Sequence, residues 1–475
     1  MSGTSGPGGT SRRRGTTGRR GTSRGGTTQL FEVSTLYGAA TLAAALDAGL
    51  FGPRGAATRV LLVSNNAAVP ETATGLPEMA GWDAVSSRFD RVLDWNDAIR
   101  PFHPGDWRPL DRDAPLWQRL LRRYWDLGEG SVELVVESVH AMPAAALATI
   151  FSDADIHVYA DGLMSYGPTR ERLPVNTACR LRRLLHLDLV PGLRPLLLSE
   201  YGVPAETVPN DAFRAVLDEI TTATPKPRHE LGVERPAVLL GQYLAALDIL
   251  TQAEEEALHE RMLRGAAVAG FRSVVFKPHP TAPAQYSRVL EKAAAEAGVR
   301  LTVLDQPMLA ESVFAHHRPG LVVGCFSTAL LTASVYYGLP VARVGTGPLL
   351  ERITPYQNSN RIPLTLVDAL LPDLEVARKG EVVTKRPELA EGVAPLMRTV
   401  GYCMQAKGNP ALRADAERWL AAELGPATQR YFKRARLTAL ALPGGFGSHL
   451  ARQLPGSAAA LRVARRVRKA TRAKR

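Results

Sequence analysis

A chain of 475 residues is longer than one hydrophobic core usually serves, so two domains plus terminal segments are expected. Hydrophobic residues at 45% and charged ones at 22% exclude a disordered chain, and no apolar run reaches the ~20 residues that span a bilayer. The net charge of +12 is concentrated at the ends: residues 1–28 carry six Arg and residues 462–475 eight Lys or Arg, neither with an acid. The remainder stands at −2, which argues against a dedicated nucleic-acid-binding fold.

In chain order, the first 28 residues are almost entirely Gly, Ser, Thr and Arg, a composition that cannot bury enough apolar area to order itself, and a disordered tail is expected. From Gln29 short β-rich runs alternate with Ala/Leu-rich stretches, the pattern of βα units around a parallel sheet. The predicted strands are Leu30–Val33, Arg59–Val63, Arg91–Leu93, Val132–Glu137 and Ile156–Tyr159. The passage from Thr169 to about Arg228 lacks a strand rhythm and runs into a linker at "TATPKPRHELGVERP". A second series follows, with strands at Ala237–Gly241, Ser273–Lys277, Leu301–Leu304, Leu321–Gly324 and Val341–Val344, and helices near 253–269, 284–297 and 328–337. The expected architecture is α/β: two Rossmann-like doubly wound domains facing a cleft, at 29–228 and 229–435, with a basic C-terminal tail at 436–475. Cys179, Cys325 and Cys403 form no C-x-x-C pair, no metal site is expected, and reduced thiols fit a cytoplasmic protein; the N-terminus has no apolar secretory stretch.

Ligands of such folds bind beyond the carboxyl ends of the strands, so the residues there carry the chemistry. In "HVYADGLMSY", Asp161 and Gly162 follow a strand; the carboxylate is placed to take a proton from a bound hydroxyl, although a plain Asp-Gly turn reads the same way. In "VVFKPHP", a strand runs into Lys277, and the prolines on both sides of His279 hold its imidazole at a fixed place, as suits an acid. In "LVVGCFSTALLTASVYYG", Ser327 and Thr328 start a helix, a ready phosphate site or a simple N-cap. Glu311, 32 residues after His279 and 16 before Ser327, is a candidate for ribose hydroxyls, with a helix-surface Glu as its other reading. Gly241 and Gln242 end the first strand of the second series and either let a donor approach the backbone or make a turn.

Taken in order, Ala160-Asp161-Gly162, His279-Pro280 and Ser327-Thr328 resemble the acidic-acidic-Gly, His-Pro and Ser-Ser/Thr motifs of bacterial sialyltransferases, in particular the polysialyltransferase and lipooligosaccharide sialyltransferase families. The likeness covers roughly residues 29–350 and departs at Ala160, where the first acid of the first motif is absent. The resemblance implies a GT-B-type glycosyltransferase that moves a sialic-acid-like (nonulosonic or keto-deoxy) sugar from a CMP-activated donor to a glycan acceptor such as a cell-surface polysaccharide, in one transfer or as a polymer. It implies Asp161 as general base and His279 as the group at the departing CMP phosphate. Ser327 and Thr328 then bind phosphate, and Lys277, Pro280 and Glu311 join them at the donor. No Asp-x-Asp pair lies beside the His-Pro or Ser-Thr motifs, and a metal-independent, inverting transfer without a cofactor is expected.

The C-terminal "ALRVARRVRKATRAKR" interleaves Leu461, Val463, Ala464 and Val467 with basic residues and suits an anionic membrane at the inner face of the cell. A solvated basic tail has the same composition. Two other readings remain open on the sequence: a transferase of the same fold using a UDP- or GDP-sugar, and a binding protein that works through its basic ends, with no specific nucleic acid expected.

Overall fold

The computed structural model describes residues 26–67, 70, 73–225, 235–279, 287–304, 306–376 and 391–446. Its first half is built on a seven-stranded sheet: β1 (Thr28–Val33), β2 (Thr58–Val63), β3 (Arg91–Asp94), β4 (Val132–Val136), β5 (Asp155–Ala160), β6 (Leu181–Leu187) and β7 (Ala205–Val208), in the spatial order β3-β2-β1-β4-β5-β6-β7. Every pairing is parallel. The second half carries β8 (Ala237–Leu240), β9 (Ser273–Lys277), β10 (Arg300–Val303), β11 (Leu321–Gly324) and β12 (Val341–Arg343), again all parallel, in the order β10-β9-β8-β11-β12.

Both sheets start in the middle and wind outwards in two directions, so each has a switch point, between β1 and β4 and between β8 and β11. The central strands β1, β2, β4, β8, β9 and β11 are largely apolar on both faces because helices cover both faces of a parallel sheet. Alternation then sorts the side chains: Leu30, Val60, Leu62, Leu134 and Val136 enter one core, while Phe31, Leu61, Val63, Val135 and Tyr159 point to the other. That second core runs on without a break into the second half through Val238, Leu239, Val274 and Val322. The halves are also tied by Tyr37 Oη to Thr332 Oγ1 at 3.2 Å, by Tyr336 Oη donating to Asn210 Oδ1 at 3.3 Å and by Thr221 Oγ1 to Ser312 Oγ at 3.4 Å.

The passage Thr169–Arg228 is not a featureless approach to a linker: it contains β6, β7 and the helix Asn210–Ala223. Its strand rhythm is masked by Arg182 and Arg183, which interrupt the apolar run of β6. Each arginine has a partner on a neighbouring strand: Arg182 donates to Asp155 Oδ1 at 2.6 Å, and Arg183 donates to Glu206 Oε2 at 2.8 Å while its guanidinium lies 4.7 Å over the Phe51 ring. Two further limits move. Thr28, given to the N-terminal tail by composition, is the buried first residue of β1, and the basic tail drawn from 436 starts inside folded structure, since Leu437 and Leu442 are buried. Residues 1–25 and the basic segment 447–475 lie outside the described residues, as do 284–286 of the helix expected at 284–297, which begins at Ser287.

The last helices return to the first half. The helix Ala394–Met404 packs so closely that a Cβ on Gly401 would stand 2.7 Å from Leu196 Cδ1, and Gln405 donates to the carbonyl of Arg170.

Candidate active site

Because both sheets are parallel, their carboxyl ends collect the loops after β4, β5, β8, β9 and β11 at one crevice between the halves. The crevice has two chambers, of about 490 Å3 and about 240 Å3, and both are lined by Asp161, Gly162, His279, Ser327 and Thr328. Gln242, Tyr243 and Asn360 line the larger chamber; Lys277, Glu311, Gly241 and Tyr37 line the smaller. The structure thus gathers every described candidate residue in one place; Pro280 lies outside the described residues.

Asp161 follows β5 directly and sits over the first turn of the helix Leu36–Asp47. Gly38 makes room for it: a Cβ there would stand 3.1 Å from Tyr159 Oη and 3.4 Å from Asp161 Oδ2. Burial and the nearby Glu137 carboxyl push the Asp161 pKa up to about 8. Glu137, just beyond β4, is itself raised by burial, and Ser34 Oγ donates to its Oε2 at 2.9 Å. Behind it Glu32 of β1 is buried, pushed up to about 8 by burial and by Glu137; it accepts from the Glu137 N–H at 3.3 Å and from Ser64 Oγ at 3.4 Å. Three carboxyl groups therefore run inward from the crevice. Of the three, Asp161 alone stands in one of the sequence motifs. The available signal was an acid inside or at the end of an otherwise apolar buried strand, "LFEV" and "VELVVE".

Across the crevice, His279 lies against the Tyr243 ring at a centroid distance of 4.1 Å. Burial, then the Lys277 ammonium, lowers its pKa to about 4, so its imidazole is neutral at pH 7. Lys277 ends β9 and is itself buried, its pKa lowered to about 8 by burial against the opposing pull of Glu311; its Nζ donates to the Pro278 carbonyl at 3.1 Å. Glu311 is buried and raised to about 7 by burial.

Ser327 is the N-cap of the helix Thr328–Tyr337, its Oγ accepting from the Ala329 N–H at 3.3 Å, so both readings of this hydroxyl meet in one residue: it caps, and it lines both chambers. Gly241 and Gln242 are explained first by structure. A Cβ on Gly241 would lie 2.8 Å from the Phe276 ring and 3.2 Å from Pro278 Cα, and Gln242 Oε1 accepts from the Phe326 N–H at 2.9 Å, which fixes the β11 loop against β8.

Two doubly wound Rossmann-like halves with their strand ends facing across a crevice make the GT-B architecture of glycosyltransferases. The chain belongs to the alpha-2,8-polysialyltransferase (POLYST) family, whose model matches residues 29–346, and is a sialyltransferase-like glycosyltransferase. No curated protein matches it by sequence. Among solved structures it is similar to the GT-B domain of the sialyltransferase from Photobacterium damselae, at 11% identity and a TM-score of 0.39, covering 72% of this chain and 96% of that one. It is also similar to S. aureus MnaA with UDP (10% identity, TM-score 0.39, 81% and 97% covered) and to Acinetobacter baumannii MurG (11%, 0.35, 82% and 98%). Among the described residues no helix is long and apolar enough to cross a membrane.

Proposed function

We propose that the protein transfers a sialic-acid-like sugar from a CMP-activated donor to a hydroxyl of a glycan acceptor, with inversion and without a metal. What carries the reading is the meeting of Asp161, His279, Ser327 and Thr328 on the wall common to both chambers. The smaller chamber offers Lys277 and the start of the helix Thr328–Tyr337 to a nucleotide phosphate and the Glu311 carboxyl to the ribose hydroxyls; the larger has room for the acceptor. In the reaction the bond from the anomeric carbon to the CMP phosphate oxygen breaks, its electron pair leaving with CMP, while the acceptor oxygen attacks from the other side and its proton goes to Asp161. Negative charge grows on the phosphate, where the neutral His279 donates a hydrogen bond and gains proton affinity as that charge develops; Lys277, Ser327 and Thr328 oppose the same charge. Pro280 keeps its proposed part in holding His279. The partners are a CMP-sugar and a cell-surface polysaccharide, and the site of action is the cytoplasmic face of the membrane, with the basic C-terminal segment on anionic lipid.

Asp161→Ala and His279→Ala are each expected to lower transfer and donor hydrolysis from CMP-sialic acid by about 10²–10⁴-fold, the usual contribution of a positioned acid or base. Wild-type activity in both variants is the result that defeats the assignment. In thermal shift, CMP is expected to raise the melting temperature and UDP and GDP are not; the reverse order moves the donor to another nucleotide sugar.

A further inference from the structure

On the outer side of the first sheet, away from the second half, the helix Ala114–Tyr124 buries Ala114 and Leu121 but turns Leu116, Leu120 and Tyr124 outward, with exposures of 49%, 48% and 68%. Spaced by four, these three form one stripe along the helix. Phe102 and Leu110, also more than half exposed, continue the apolar surface through the loop that precedes the helix. That loop lies at the carboxyl edge of the sheet, the edge that carries the crevice: His103 Nε2 bonds the Ala67 carbonyl at 2.9 Å, just past the end of β2. The patch rests on a stiff base, because Trp107 packs edge-on against Trp117 at 5.0 Å and against the fully buried Trp95 at 5.8 Å.

The charge on this helix has one sign. Arg119, Arg122 and Arg123 are basic and no residue of the helix is acidic; Arg119 and Arg123 are exposed and make no ion pair among the described residues. Two copies joined through this helix would bring two surfaces of the same sign together. A bilayer of anionic lipid fits both features: acyl chains take Leu116, Leu120 and Tyr124, while the arginines reach the phosphates from the edges of the stripe. We propose that this face, independent of the basic C-terminal segment, docks on the surface of an anionic membrane and lays the crevice mouth beside it.

The test uses the full chain and vesicles of phosphatidylglycerol or phosphatidylcholine whose acyl chains are brominated. The wild type is expected to co-sediment with phosphatidylglycerol vesicles and to lose tryptophan emission to the bromine, because Trp107 and Trp117 lie under the patch. Leu116→Ser/Leu120→Ser and Arg119→Glu/Arg123→Glu are each expected to lose that quenching and to bind at least about tenfold more weakly, with the far-ultraviolet spectrum, melting temperature and transfer to a water-soluble acceptor unchanged. Co-sedimentation of the wild type without quenching overturns the proposal, since attachment is then through another segment. Equal quenching in wild type and both double variants overturns it too, as does a change in oligomeric state of the variants without lipid, which makes the face a protein interface.

Discussion

Burial and the Glu137 carboxyl make Asp161 hold its proton to higher pH than a solvated aspartate does, and it must give that proton up before it can take one from an acceptor. Its pKa of about 8 is far above the ~4 of a solvated aspartate. Between those two values the folded chain binds a proton that the unfolded chain has released, so this group's contribution to stability is full at acid pH and is lost as pH rises through about 8. Asp161→Asn fixes the neutral form. It is therefore expected to abolish transfer and yet to melt above the wild type at pH 8, the difference shrinking toward pH 5; a variant less stable than wild type at both pH values would contradict a carboxyl strained by burial. Glu137→Gln separates the two causes of the shift. With the neighbouring charge gone and burial unchanged, Asp161 ionises more easily, and the acid limb of kcat/KM is expected to move to lower pH. An unmoved limb means that Glu137 does not act on Asp161.

Elements in the second half are held by two kinds of polar contact that differ in depth, and their loss should differ accordingly. Thr251 caps the helix Gln252–Val268 in a capping box with Glu254 at the surface, a contact worth about 1 kcal/mol. Asp368, fully buried on the helix Arg361–Leu370, accepts from Thr346 Oγ1 at 2.6 Å and from Tyr431 Oη at 2.8 Å, and lies 3.2 Å from the Arg343 guanidinium at the end of β12. Asp368→Ala leaves buried donors and part of a buried charge uncompensated, and is expected to cost about 3 kcal/mol in urea unfolding against about 1 for Thr251→Ala; equal losses would put the Asp368 cluster among the dispensable contacts. Such deep polar hubs explain what the sequence made legible. Strands that are wholly or mostly apolar, such as β8 and β11 and, apart from a few polar residues, β1, β4 and β9, announce themselves by composition, and the three motif loops stand at the ends of β5, β9 and β11. β6 does not, because the carboxylates that pair with its arginines, Asp155 and Glu206, stand on other strands. Glu137 and Glu32 stayed hidden for the same reason: nothing in a linear reading says that β1, β4 and β5 are neighbours, and only that adjacency turns three separated acids into one row.

The whole molecule places its two kinds of proposed chemistry on different halves, the base on the first and the phosphate groups on the second, so transfer depends on how the halves meet while nucleotide binding depends mainly on one of them. The returning helix Ala394–Met404 is a lever on that meeting. Gly401 lets it approach Leu196 and Pro168 of the first half, where even a methyl group would come within 2.7 Å of Leu196 Cδ1. Gly401→Leu adds bulk to a closed contact, at a cost of about 1–3 kcal/mol, and the ends of flexible side chains absorb only part of it; the rest opens the gap between the helix and the loop 163–168, which lines the larger chamber. Asp161 then recedes from His279 and Ser327. The expected outcome is a fall in kcat of about tenfold or more, as for a displacement of ~1 Å between reacting groups, while the rise in melting temperature with CMP is retained because Lys277, Ser327 and Thr328 are undisturbed. If kcat is kept and the CMP response is lost instead, the helix Ala394–Met404 acts on nucleotide binding and not on the meeting of the halves.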